Sequence, residues 1–561
     1  MTYGNEIAKS GTHTANLFAD NFSSVFSTTI LPDTYNNPGH ESLHLSSIKI
    51  SEKEIVQAIK KLDIFKGAGL DEIPPIFIKR CGSALALPLS LIFNRSLNDG
   101  VFPVLWKKAK IVPIFKKGDR KDVKNYRPIS ILSCVSKLFE SLVCPIITRH
   151  LDSVISENQH GFRKGRSVLT NLVSFTSYLS KEIDSGQQVD AVYMDFSSAF
   201  DKVCHSRLLC RLREYGVDGS LLKWFESYLA KRLQVVVLNG YVSREYFAES
   251  GVPQGSHLGP VLFSAFINDI TLSIHNCRYS LFADDLKLFR TVNSSMDIDL
   301  IQSDLSRINK WCEANGMVIN TKKSYHIKYT RKKNPLKSSY ILNLDTLQEV
   351  SEIRDLGVVM DAQLRFKAHI DTVVKQAAKM LGFLKRNTKG FVSPKTKIIL
   401  FNSLVRSKLE FASVVWSPPF ATYSQRLESI QRSFTRHLAF HSSGISHKAT
   451  YDLRLKHFKM MSLYNRRLIL DIMFLKKILS GDISCSELLS NIDIRVPYRY
   501  PRHPIRDILY IPASRTLVLK HSPLRRICSE YNRFAASVND MDIFHDSGPS
   551  LKKKLTAHIC L

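Results

Sequence analysis

The sequence predicts an α+β fold, and three observations point to it. β-type runs recur at Ala109–Phe115, Val189–Asp195 and Tyr279–Phe289. Helical apolar stripes separate them, and from about Asp361 onward the spacing is helical throughout. With 561 residues and 44% hydrophobic content, the chain can bury a large core in several subdomains. Lys and Arg outnumber Asp and Glu by 79 to 50, for a net charge of +29. From Asp361 to the end, 34 basic residues face 14 acidic ones, leaving +9 for the longer first part. That distribution makes the C-terminal third the expected track for a polyanion.

The ten cysteines are scattered, without Cys-x2-Cys pairs. In a chain this long they read as small hydrophobes in a reducing compartment. The polar Met1–Ser10 start lacks the apolar region of a signal peptide, and no apolar run reaches the roughly 18 residues of a membrane span. The expectation is a soluble, intracellular protein of nucleus or cytoplasm, neither secreted nor membrane-bound.

Taken in order, Leu17, Phe18, Phe22 and Phe26 have helical spacing, and a Pro/Asn/Gly/Ser-rich loop follows at Leu31–Ser47. Ser51 and Glu54 stand at capping-box spacing before Ile55, Ile59 and Leu62. Lys66–Asp71 breaks that helix with two glycines, and apolar helices run on through Phe93. The strand Ala109–Phe115 leads into the basic turn Lys116-Lys117-Gly118-Asp119, and Asn125–Ser130 returns as extended chain. Such a hairpin faces either an anion or water, since charge runs usually mark solvated faces.

Gln159–Ser167 combines glycines with Arg163, Lys164 and Arg166 before a helix, a setting that suits phosphate although it is not a P-loop. The run Val189–Met194 ends in Asp195, and Ser197 and Ser198 are expected to start the helix carrying Leu208 and Leu209. Gly251–Pro260 is a Gly/Pro-dense turn opening the apolar helix Val261–Ile267. A helix is expected around Leu305–Asn315, then Gly316–Ser324, a β segment, the exposed basic loop Arg331–Lys333, and a short β segment at Arg354–Met360. Ser393-Pro394 suits a helix start, and Leu427, Ile430 and Phe434 form a core stripe with Arg432 and Arg436 on another face.

Tyr279–Phe289 reads as a hairpin with Asp284 and Asp285 at its tip. Adjacent strand residues point to opposite faces, so a turn is needed to bring both acids to one site. Two carboxylates this close repel unless a cation sits between them, and hard divalent cations take oxygen ligands. An isolated pair of acids would be a solvated turn. With Asp195 at a neighbouring strand end, three carboxylates could hold two divalent cations roughly 3.5–4 Å apart, as in polymerases and nucleases.

The order of these segments resembles the reverse transcriptase of non-LTR (LINE-type) retrotransposons, most like the jockey-related elements. The runs that match are Lys66–Asp71, Asn125–Ser130, Gln159–Ser167, Asp195–Asp201, Gly251–Pro260, Phe282–Asp285, Asn320–Ser324 and Asp355–Gly357, with Trp416-Ser417-Pro418 beyond them. The resemblance implies a right-hand polymerase with an antiparallel palm sheet. Its domains would be an N-terminal extension (1–94), fingers and palm (95–360), a helical thumb (361–445) and a basic C-terminal extension of unassigned role (446–561).

It also implies RNA-directed DNA synthesis from dNTPs on a primer 3′-hydroxyl. Two Mg2+ ions would serve, Mn2+ being an alternative, with an RNA template and a DNA primer as partners. Asp195, Asp284 and Asp285 match the metal-binding aspartates, and Lys323 a proposed general acid toward pyrophosphate. Lys116 or Lys117, with Arg127, matches the cations on the triphosphate. Phe200 matches the residue that excludes a ribose 2′-hydroxyl, Gln254 with Gly255 the nucleotide-side turn, and Leu356 and Gly357 the primer grip.

Phe282 stands where such sequences usually have Tyr, Ser198 where Lys, Cys204 where an acid, and His257 where a small or aliphatic residue is usual. A complete element of this type carries an N-terminal endonuclease domain, and the expectation is that this chain lacks one, which a fuller element would supply. No Cys/His cluster of zinc-knuckle type is evident. Two other functions use the same residues: a decayed or co-opted fragment that only binds nucleic acid, and a metal-dependent nuclease. Phe200 and the cations at 116, 117 and 127 have no evident use in the nuclease.

Overall fold

The computed structural model describes residues 1–4, 6–26, 44–496, 508–537 and 541–560. Most of the expected Leu31–Ser47 loop, and residues 497–507 of the Pro/Arg/His-rich stretch, lie outside the described residues. Helix α1 (Gly11–Ser23) starts where the Ser10 hydroxyl accepts a bond from the His13 N–H. It turns Leu17, Phe18 and Phe22 onto a sheet, while Phe26 lies past its end. Ser51 and Glu54 form the expected capping box at the head of Glu52–Lys60.

The sheet under α1 is made by β1 (Ala109–Phe115) and β2 (Tyr126–Leu132). After β3 (Gln188–Met194), which belongs to a second sheet, β4 (Arg232–Leu238) completes the first. β1 pairs antiparallel with β2 and parallel with β4, to which Tyr241–Val242 and Tyr246–Ala248 add. The second sheet adds β5 (Arg278–Phe282), β6 (Asp285–Val292) and β7 (Tyr325–Tyr329). Its order is Gln348–Glu349, β7, β3, β6, β5. β3 is central, with antiparallel neighbours on both sides.

Alternation along β3 explains why this strand reads as a continuous apolar run. Val192 and Met194 enter one core, while Val189 and Ala191 enter another on the opposite face. The first core holds helices α2 (Cys134–Leu151), α4 (Gly259–Ile267) and α5 (Ser295–Asn315). The second holds α3 (Val168–Asp184) and the helical C-terminal part. There β8 (Glu352–Asp355) and β9 (Val358–Asp361) lead into α6 (Lys367–Asn387), α7 (Ala421–Phe440), α8 (Leu463–Leu479) and α9 (Pro523–Ser537). Leu427, Ile430 and Phe434 are buried in this core, as their spacing predicts. The core continues to Leu551 and Leu555, so the helices after residue 446 pack on the same body as those before it.

Several elements depart from the sequence reading. Ser197 and Ser198 do not start a helix: Ser198 has φ 50° in a turn, and the helix begins at His205. Arg354–Met360 is a hairpin rather than one segment, because Leu356 (φ 44°) and Gly357 (φ 93°) make the positive-φ turn joining β8 to β9. Helix α5 begins at Ser295, ten residues before Leu305, capped by Ser294 and Asp297. Ile298 and Ile301 carry its apolar stripe back toward that start. Helix α4 takes in Gly259 and Pro260, proline being at ease in a first turn.

Candidate active site

Strand pairing brings the three acids together. Met194 lies opposite Leu286 in the β3–β6 register, so Asp195, the next residue, leaves β3 beside the start of β6, where Asp285 and Asp284 sit. The β5–β6 hairpin closes with Phe282 opposite Asp285, leaving Ala283 and Asp284 as its two-residue turn. Ala283 takes φ 56°, a conformation that costs a side-chain-bearing residue roughly 1–2 kcal/mol.

A brace holds that strained turn. The Gln159 Oε1 accepts from the Ala283 N–H and the Gly161 N–H, each at 2.9 Å. The His160 N–H donates to the Leu281 carbonyl, and the Leu281 N–H to the Asn158 carbonyl. A Cβ on Gly161 would lie 2.4 Å from the Ala283 nitrogen, so only glycine permits the approach. The segment read as a phosphate loop thus carries the hairpin, and Arg163 is occupied by Asp152 and two carbonyls.

The far side of Asp195 is fixed by Gly316–Ser324. The Asn320 N–H donates to the Asp195 carbonyl at 2.7 Å, and the Asp195 N–H donates to the Ser324 hydroxyl at 3.3 Å. Lys323 lies in the 3-10 turn Thr321–Lys323, and its Nζ donates to Asp195 Oδ2 at 3.2 Å.

Asp195, Asp284 and Asp285 open into one cavity of about 800 Å³. Its lining also includes Lys116, Arg127, Phe200, Gln254, Gly255 and Lys323. Lys117, Leu356 and Gly357 are not part of it. Lys116 is therefore the cation of the basic turn that lines the cavity with the acids. Leu356 and Gly357 stay at the β8–β9 turn, where a Cβ on Gly357 would press on the Phe411 ring at 2.9 Å. His257 also lies outside the lining: its N–H donates to the buried Glu140 carboxylate at 2.8 Å.

Phe200 stacks on Phe263 with ring centroids 4.3 Å apart, and Phe162 meets its edge at 6.1 Å. The Gly251–Pro260 turn docks on β2, with the Ser130 N–H donating to the Gln254 carbonyl at 2.8 Å. Gly255 has φ 121°, and a Cβ there would strike the Ser130 oxygen at 2.5 Å. Gln254 Nε2 donates to both oxygens of Asp201, at 3.0 and 3.1 Å. Sequence reasoning gave Asp201 no role, although it stands next to Phe200.

The acids repel one another. Loss of solvent around its carboxyl, then Asp284, Asp355 and Asp195, push Asp285 up to about 6. Burial and Asp195 also raise Asp284, against the pull of its own amide, Arg127 and Lys116. Burial and the neighbouring Arg127 and Lys323 lower Lys116. Repulsion between oxygen donors that the nearby cations do not cancel is the setting that a hard divalent ion relieves. As the side chains stand, no group of three His, Cys, Asp or Glu among the described residues is drawn into a metal-holding cluster. The donor chemistry fits such an ion, and Lys323 Nζ lies on Asp195 Oδ2.

Below the hairpin, Lys287 is buried in β6. Its Nζ donates to Asp355 Oδ2 at 2.7 Å and to Asn171 Oδ1 at 2.6 Å, above the Phe175 ring. Asn171 in turn donates to the Ser280 hydroxyl and the Leu281 carbonyl. One ammonium thereby ties β6, α3 and the β8–β9 hairpin together.

Comparison with known proteins bears on this geometry. Residues 114–383 match the family described as reverse transcriptase (RNA-dependent DNA polymerase). The chain is 28% identical over 463 residues to the probable RNA-directed DNA polymerase from transposon BS of Drosophila melanogaster, covering 77% of this chain and 50% of that protein. It is 26% identical over 395 residues to the probable RNA-directed DNA polymerase from transposon X-element of the same species, covering 68% and 43%. It is 26% identical over 407 residues to the RNA-directed DNA polymerase from mobile element jockey of Drosophila funebris, covering 70% and 44%. The chain spans about half the length of these relatives or less. No helix among the described residues is long and apolar enough to cross a membrane. With the matched segment running through β2, β3 and the acidic hairpin into α6, residues 114–383 are a reverse transcriptase domain, and the chain is similar to the polymerases of non-LTR, LINE-type elements such as jockey.

Proposed function

We propose that this chain extends a DNA primer on an RNA template, adding dNTPs to the primer 3′-hydroxyl and releasing pyrophosphate. The observation that carries the reading is the single cavity into which three carboxylates, the cations Lys116, Arg127 and Lys323, and the Gln254 turn all open. The β1–β2 sheet would serve as fingers, the β3–β6 sheet as palm, and the helices after residue 361 as thumb, within a right-hand polymerase.

Asp195, Asp284 and Asp285 would hold two Mg2+ ions, with Mn2+ able to substitute. Bound there, the ions would supply Lewis-acid activation and charge neutralisation at the phosphates. The protein's own part is placement. Arg127 and Lys116 draw the triphosphate toward the acids by charge-assisted hydrogen bonds. Phe200, stacked on Phe263 and met edge-on by Phe162, walls the sugar side of the cavity, and a ring packed in this way resists swinging aside for a 2′-hydroxyl. Lys323 releases Asp195 and stands within reach of the departing pyrophosphate, where its ammonium can give up a proton. Leu356 and Gly357, at a rigid turn on the same body, would hold the primer end. An endonuclease from a fuller element would supply the primer by nicking.

Purified chain given an RNA template, a labelled DNA primer, dNTPs and Mg2+ is expected to lengthen the primer, and Asp284→Ala to abolish it. Template binding without extension would leave only the binding function. Shortening of labelled nucleic acid with metal and no dNTP would make it a nuclease.

A further inference from the structure

Gln254 faces the cavity with one end of its amide committed. Its Nε2 donates to both Asp201 oxygens, and among the described residues its Oε1 accepts no hydrogen bond. An ionised carboxylate only accepts, so it admits the amide in one sense alone, with nitrogen inward and oxygen outward. Asp201 is itself built into the turn that carries Gln254. The Ser250 hydroxyl donates to the Asp201 carbonyl at 2.7 Å, and the Val252 N–H to the Phe200 carbonyl at 2.9 Å. At Gly251, φ 86°, a Cβ would lie 2.8 Å from the Asp201 Cα, so the two backbones touch.

We infer that Asp201 is a positioning residue that locks the Gln254 side chain as a hydrogen-bond acceptor toward the bound nucleotide. The inference rests on the polymerase reading of the cavity and adds a selectivity to it. A nucleotide group that donates, a sugar hydroxyl or a base amine, is accepted at Oε1. Without the carboxylate the amide can turn over, and half of its orientations offer the wrong polarity. The alternative is a purely structural Asp201 that pins the turn through its backbone. That role is indifferent to which polar group the side chain carries.

Full-length chain with RNA template, DNA primer and Mg2+ tests it by dNTP titration. Asp201→Asn is nearly isosteric and can pair with either amide face. It is expected to raise KM for dNTP about tenfold with kcat changed little. Gln254→Glu sets two carboxylates against each other and is expected to raise KM as well. The exchanged pair, Asp201→Asn with Gln254→Glu, restores a donor below and an acceptor oxygen above, so KM should return to within about threefold of the native chain. A native KM in Asp201→Asn, or an exchanged pair no better than Gln254→Glu alone, overturns the inference. Protection against thermal unfolding by saturating dNTP gives the same comparison without turnover. Native chain that binds dNTP but extends nothing refutes the polymerase reading, while the protection series still decides the role of Asp201.

Discussion

Lys287→Met should loosen the hairpin without touching the cavity. Lys287 and Asp355 are each 4% exposed at 2.7 Å, and Asn171 completes the ammonium's bonds. Methionine fills the volume but leaves a buried carboxylate without its cation. Removing one member of a buried pair typically costs about 3–5 kcal/mol, whereas replacing both by apolar groups is often close to neutral. The expected cost of Lys287→Met is therefore about 3–5 kcal/mol, and Lys287→Met with Asp355→Leu should recover most of it. A protein with two large cores need not unfold in one step, so amide hydrogen exchange in β6 and β8 is the suitable assay. At one decade per roughly 1.4 kcal/mol, exchange there should accelerate by about 10²-fold to several times 10³-fold in the single variant. Acceleration under tenfold, or a double variant exchanging as fast as the single one, would refute the claim that this ion pair ties the hairpin to β8.

Asp201→Asn should stabilise the fold while it weakens nucleotide binding. Burial lifts the Asp201 carboxyl to about 6, so its ionised form is disfavoured in the folded chain. Because the folded state binds the extra proton, native stability falls as pH rises from about 4 to about 6, and the full penalty stands above that window. A shift of about two units corresponds to about 3 kcal/mol, an upper bound on what Asn recovers at pH 7.5 in thermal melts, with no gain at pH 4. A destabilised Asp201→Asn at pH 7.5 would contradict this. Gly161→Ala drives a methyl into the Ala283 nitrogen and should cut kcat at least tenfold while template affinity is kept, and native kcat would show that the brace is dispensable.

The acidic hairpin was legible because its signal is local: two β-type runs and a short polar corner. β3 was legible because both of its faces are buried, which leaves an unbroken apolar run. The braces were not. Gln159 and Gly161 look like a cation-rich anion loop in sequence, and only their contact with Ala283 across 122 or more positions shows that they hold a turn. Half-buried Asp201 and buried Glu140 are acids whose partners, Gln254 and the His257 N–H, lie 53 and 117 residues away. Ser197 and Ser198 misled because serine serves turns as readily as helix caps. The β8–β9 turn was hidden because Leu356 is an unusual residue at positive φ, accepted there since it packs on the second core.

The central claim is that Asp195, brought by β3, and Asp284 and Asp285, brought by the β5–β6 hairpin, carry nucleotidyl transfer in one cavity. Single-turnover extension of a DNA primer on an RNA template, in native chain and in Asp195→Asn and Asp285→Asn, tests it most directly. The account predicts Mg2+-dependent DNA product in the native chain and a loss of at least 10³-fold in rate in each variant, with primer–template affinity unchanged. Equal extension by native chain and variants, or none by a native chain that binds primer–template and dNTP, would contradict it.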